Sequence, residues 1–91
     1  MKYVICYDLA DDQRRSRLVN VLLDYAARIQ ESVFFADIEE RLYSELREKV
    51  TRLIEPQTDV VHLFPICEAC AKRKEVYGRG EVPEDREWYI V

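Results

Sequence analysis

The sequence predicts an α+β domain in which a small antiparallel sheet carries two helices on one face. Three observations lead there. Tyr3 to Tyr7 is an unbroken apolar run, as expected of a strand covered on both sides. Two later stretches repeat apolar residues at helical spacing, and each is followed by a run rich in Val, Ile and Phe. The chain has 91 residues, enough for a single domain with a thin core.

The first strand is expected over residues 2–8 and ends on Asp8. Asp11 or Asp12 then offers a short carboxylate to cap a helix from about Gln13 to Ala26, with Leu18, Val21, Leu22 and Tyr25 facing the core. A second strand is expected from Arg28 to Asp37, with Ile29, Val33 and Phe35 on one side. Arg28, Gln30, Ser32 and Phe34 fall on its other side. Asp37 with Glu40 three residues later fits a capping box. The helix it opens runs to about Ile54, lined by Leu42, Leu46, Val50 and Leu53, and stops before Pro56.

A third strand is expected from Asp59 to Ile66, then a polar turn or short helix over 67–74 and a short strand from Glu75 to Arg79. Residues 1–80 make the core of the domain. An acidic linker from Glu81 to Arg86 leads to a last strand at the end of the chain, within residues 87–91. Read plainly, the order is β-α-β-α-β-β-β. A split in the second strand would begin it β-α-β-β-α-β, but no Gly or Pro marks a bend there.

Composition narrows the function classes. The chain is 48% hydrophobic and 35% charged, which is ordinary for a folded domain. Its net charge of −4 argues against coating nucleic acid by bulk attraction, although it leaves room for a local basic patch. No apolar run is long enough to cross a bilayer, and Met-Lys-Tyr-Val lacks a signal-peptide layout, so the expected location is the cytoplasm. The three cysteines, Cys6, Cys67 and Cys70, are an odd count that argues against a disulfide framework. Cys67 and Cys70 have the spacing of half a zinc site, but no second pair exists and His62 is the only histidine. They are read as half-buried thiols.

Two helices cover only one face of a sheet whose first strand is apolar on both. Tyr3, Ile5 and Tyr7 point one way, and Val4 and Cys6 the other. A second copy of the chain, related by a two-fold axis, is the economical cover for the open face. The closing "EWYIV" is suited to add a strand to the edge of a neighbouring sheet.

The pieces "YVICYDLADDQRRSRLVNVLL", "RIQESVF" and "LFPICEAC", then a Gly-Arg-Gly turn and a terminal "WYIV", occur in that order. The ordered set resembles the Cas2 family, the small CRISPR-associated partner of the CRISPR integrase in spacer acquisition. The resemblance covers nearly the whole chain. It implies a ferredoxin-like sheet and a homodimer through the open face, with exchange of the C-terminal strands. It also implies site residues. Asp8 matches the strand-end aspartate proposed to hold Mg²⁺ or another divalent cation, with Tyr7 beside it in the catalytic site. Arg15 and Arg17 match arginines of the first helix, Arg28 the arginine opening the second strand, and Ser32 and Phe34 the Ser-Val-Phe motif. These five are the expected nucleic-acid-binding residues. The chain departs from many relatives near Ala26 and Ala27, where they carry a glycine.

Asp8 alone is a poor magnesium site, because that ion takes octahedral oxygen from one or two carboxylates plus water and phosphate. A two-fold axis near the strand end would bring two Asp8 carboxylates together. Arg14, Arg15 and Arg17 stand at a helix start, the wrong end for cations, so Asp11, Asp12 or a bound phosphate must compensate. Ten arginines against four lysines favour forked grips on phosphate. His62, Tyr43, Tyr77, Trp88 and Tyr89 are read as scaffolding.

The function implied is CRISPR adaptation by a dimeric nucleic-acid-binding subunit, with metal-dependent hydrolysis of RNA or DNA. The alternative is a DNA-binding scaffold that bridges integrase dimers without essential catalysis. A small-ligand regulator would need a Gly-rich loop, and the only two glycines lie near the C-terminus.

Overall fold

A computed structural model describes residues 1–78. The elements are β1 (Lys2–Asp8), α1 (Asp12–Leu23), β2 (Ala27–Gln30), β3 (Val33–Asp37), α2 (Glu40–Leu53), β4 (Val60–Ile66) and α3 (Glu68–Lys72). The sheet runs in the order β2-β3-β1-β4, with every neighbouring pair antiparallel. The α+β expectation holds, with β1 at the centre.

The second expected strand is two strands. Residues 28–37 fold into a hairpin that turns at Glu31 and Ser32, giving β-α-β-β-α-β. Tight hairpins usually advertise themselves by Asn-Gly or Asp-Gly, whose residues take positive φ. This turn uses neither, and no described non-glycine residue has positive φ. A register shift between Arg28 and Gln30 adjusts the strands instead.

Ile5, Phe34, Leu18, Leu22 and Leu46 are fully buried between the sheet and the two long helices. Tyr3 stacks on Tyr43 of α2, with ring centroids 3.9 Å apart. Arg28 and Phe34 share a face, as cross-strand partners do, but it is the face that the helices cover. Phe34 is 0% exposed. Its expected role as a nucleic-acid contact is therefore corrected to packing, because no surface of the ring is available.

Asp11 caps α1, accepting the Arg14 backbone N–H at 2.9 Å. The helix ends three residues sooner than Ala26. The Tyr25 and Ala26 N–H groups donate to the Leu22 carbonyl, a close that requires no glycine. The expected capping box at α2 does not form. Glu39 is the cap residue, without a side-chain bond, while Asp37 lies 3.2 Å from the Lys2 ammonium. Lys2 is 5% exposed and also meets Glu68 of α3 at 2.6 Å. Glu68 and Asp37 hold its pKa well above the usual lysine range.

On the second face of the sheet, the segment after α3 approaches β3, with Lys74 over the Phe35 ring. Val60 and Phe64 of β4 stay exposed there, Phe64 at 51%. His62 stacks on Phe64. The strand expected from Glu75 to Arg79 is reduced, within the described residues, to one bridge at Val76. The acidic linker and the strand within 87–91 lie outside the described residues.

Candidate metal and phosphate site

Alternation along β1 places Tyr7 and Asp8 on opposite faces of the sheet. Tyr7 goes under the helices, and its hydroxyl donates to the Glu31 carbonyl at 3.1 Å. Asp8 points the other way, as Val4 and Cys6 do, and is exposed at the strand end. Among the described residues, no hydrogen bond or ion pair engages its carboxylate.

Two open grooves meet around this point. One is lined by Tyr7, Asp8, Leu9, Arg15, Glu31 and Ser32. The other adds Ser16, Val19, Asn20 and Arg28 to Tyr7, Arg15 and Glu31. The two share Tyr7, Arg15 and Glu31, so Asp8, Ser32, Arg15 and Arg28 lie along one continuous surface. Arg17 lines neither groove and is exposed further along α1.

The two groove arginines are positioned by backbone. Arg15 donates to the Leu9 carbonyl at 2.9 Å and also pairs with Asp12. Arg28 donates through Nε at 3.1 Å and through a terminal nitrogen at 2.6 Å to the Glu31 carbonyl. The Glu31 carbonyl thus gathers three donors and fixes the hairpin turn against β1. A guanidinium has five N–H bonds, so each arginine keeps donors for an incoming oxyanion.

Arg14 faces elsewhere. Its Nε donates to Asp59 Oδ2 at 2.8 Å and a terminal nitrogen to Oδ1 at 3.2 Å. The Asp59 side chain is 0% exposed. It also accepts N–H bonds from Ala10 at 3.1 Å and Glu55 at 2.9 Å. Arg14 and these amides hold its pKa well below the usual carboxylate range. Asp59 immediately precedes Val60, the cross-strand partner of Asp8. It therefore clamps the loop that leaves Asp8. Sequence reading passed over it, since nothing local announces a partner 45 residues away.

Among the described residues, one chain brings to this groove the Asp8 carboxylate, with Glu31 also along its lining. Among the described residues, no group of three or more His, Cys, Asp and Glu comes together. An exposed carboxylate without a competing cation fits a hard divalent ion that keeps most of its water.

The model of the family described as CRISPR associated protein Cas2 matches residues 1–74. The chain belongs to the Cas2 family. It is 38% identical over 93 residues to the CRISPR-associated endoribonuclease Cas2 1 of Chloroflexus aurantiacus, covering all of both chains. It is 40% identical to the CRISPR-associated endonuclease Cas2 2 of Thermus thermophilus, covering 98% of this chain and 94% of the relative. Among solved structures, the hypothetical protein TT1823 from Thermus thermophilus superimposes with a TM-score of 0.80 at 37% identity. That match covers 91% of this chain and 96% of TT1823. Two Cas2 relatives of similar identity are thus named for nucleases, one for RNA in particular.

Proposed function

We propose that the chain is a homodimeric subunit of CRISPR spacer acquisition that binds nucleic acid alongside the integrase. We further propose that the two Asp8 carboxylates of the dimer hold Mg²⁺ or another divalent cation for phosphodiester hydrolysis. The observation that carries this reading is the exposed Asp8 carboxylate, unengaged among the described residues, in a groove with Arg15 that continues to Arg28. Membership of the Cas2 family supports the biological setting. A bound cation would neutralise phosphate charge and lower the pKa of a coordinated water.

The residues of the chain divide the remaining work. Arg15 and Arg28 grip phosphate through the N–H groups that their backbone contacts leave over. Ser32 offers a hydroxyl beside Asp8. Tyr7 acts as a positioning residue, because its hydroxyl is committed to the Glu31 carbonyl. Asp59 keeps the Asp8 loop in place.

The test compares wild type with Asp8→Asn on RNA and on duplex DNA, with and without Mg²⁺. Cleavage that needs Mg²⁺ and is lost in the variant is expected, while the dimer and its nucleic-acid affinity persist. Full cleavage by a well-folded Asp8→Asn protein overturns the metal assignment.

The sparse ligand set favours a second reading, a scaffold that bridges integrase dimers without essential catalysis. It expects Asp8→Asn to leave spacer integration with the partner intact.

A further inference from the structure

Cys67 and Cys70, expected to be half-buried, are both exposed and unbridged, while Cys6 is half-buried in β1. Cys67 is the cap residue of α3, in extended conformation with φ −70° and ψ 159°. Its sulfur turns back over the first turn and accepts the Cys70 backbone N–H at 3.4 Å. That bond lowers the Cys67 pKa, and the neighbouring Cys67 sulfur raises that of Cys70. One thiol is thereby poised to attack and the other is held in reserve beside it.

We propose that Cys67 and Cys70 form a reversible dithiol–disulfide couple that exchanges with small-molecule disulfides. The geometry requires little movement. Residues three apart within a helix have Cβ atoms about 5–6 Å apart, and a disulfide needs about 3.5–4.5 Å. Cys67 lies outside the helix proper, so closing the gap takes a backbone adjustment at an exposed cap. No third ligand stands near among the described residues, which disfavours a metal within one chain.

The exchange proceeds in two displacements. The Cys67 thiolate attacks one sulfur of oxidised glutathione, forming a mixed disulfide and expelling a glutathione thiolate, which takes a proton from water. Cys70 then gives up its proton and attacks the Cys67 sulfur, expelling the second glutathione as a thiol. Two protein thiols are oxidised to one disulfide, and one glutathione disulfide is reduced to two thiols. Closure also has a structural reach. Glu68, next to Cys67, meets the buried Lys2 at 2.6 Å, so the cap connects to the central strand.

The test equilibrates the full chain with graded mixtures of reduced and oxidised glutathione, then quenches, alkylates and maps the thiols by mass spectrometry. Cys67 and Cys70 are expected to disappear together with loss of two hydrogens, and dithiothreitol is expected to restore them. Cys70→Ser should stall with one glutathione on Cys67, and Cys67→Ser should form no internal disulfide. In the reduced chain at neutral pH, alkylation of Cys67 should outrun that of Cys70. Independent oxidation of the two thiols, disulfides only between chains, or retained zinc that blocks both thiols would each overturn the couple.

Discussion

Arg14 grips Asp59 in a forked pair, through Nε at 2.8 Å and a terminal nitrogen at 3.2 Å. The pair joins the first turn of α1 to the residue before β4, and the amides of Ala10 and Glu55 complete it.

Asp59→Asn keeps the shape but removes the charge that Arg14 and two amides are arranged around. The thermal midpoint should fall, on the order of 5–10 °C for a domain this small. The pH dependence carries the sign. The folded-state pKa of Asp59 is depressed, so its contribution is complete above the ordinary carboxylate value of 3.8 and is lost as pH falls below it. Thermal melts between neutral pH and pH 2 should show a steeper acid loss in wild type than in Asp59→Asn. Parallel curves would remove Asp59 as the source.

Phe34 separates packing from binding. Phe34→Ala empties a fully buried site and should cost about 3–5 kcal/mol in urea unfolding. A milder change, Phe34→Leu, should leave nucleic-acid affinity per folded molecule unchanged. Lost affinity with unaltered stability would return the ring to the binding surface.

Arg15 and Arg28 should act through charge and fork geometry, without regard to base sequence. For duplex DNA, log affinity should fall by about 0.9 per phosphate contact for each log unit of salt. Arg15→Gln and Arg28→Gln should each flatten that slope by about one contact. Arg28→Lys should keep the slope but lower the affinity at every salt concentration, because a lysine cannot make the paired N–H bonds to the Glu31 carbonyl. Fluorescence anisotropy across a salt series measures both effects, and slopes unchanged in the Gln variants would show that neither arginine meets phosphate.

The exposed face of β4 is the expected seat of the second copy. Phe64→Glu places a charge where Phe64 and His62 stack, and should raise the dimer dissociation constant at least about 10-fold. Deleting residues 87–91 should weaken the dimer as well. Sedimentation velocity over a concentration series reads both changes, and an unshifted constant in both variants would move the interface elsewhere.

Much of the fold was legible because burial has a period. The apolar run of β1 specifies a strand, and the helical repeats of Leu18, Leu22, Leu46 and Val50 each specify one element and one face. The hairpin escaped because Glu31-Ser32 carries none of the usual turn residues. Phe34 was put on the wrong surface because the face it shares with Arg28 reads as polar along the strand, whereas the helices cover that face. Asp8, Arg15, Arg28 and Ser32 were marked by resemblance, and the fold brings them to one surface. The capping box at Asp37 failed because Lys2, distant in sequence, took its carboxylate. Asp59 was missed because an aspartate before a strand looks like any turn residue until Arg14 stands beside it.

The central place of β1 has a consequence for how the chain comes into being. The strand made first is flanked by β3 and β4, and β4 ends only at Ile66. During synthesis, Tyr3 to Tyr7 therefore wait with a bare hydrogen-bonding edge until nearly the whole described domain has emerged. Sheets closed by such distant pairings fold slowly and expose sticky edges meanwhile. A ribosomal pause between β3 and β4 should lengthen that exposure and lower the yield of folded protein, even though the finished sequence is the same.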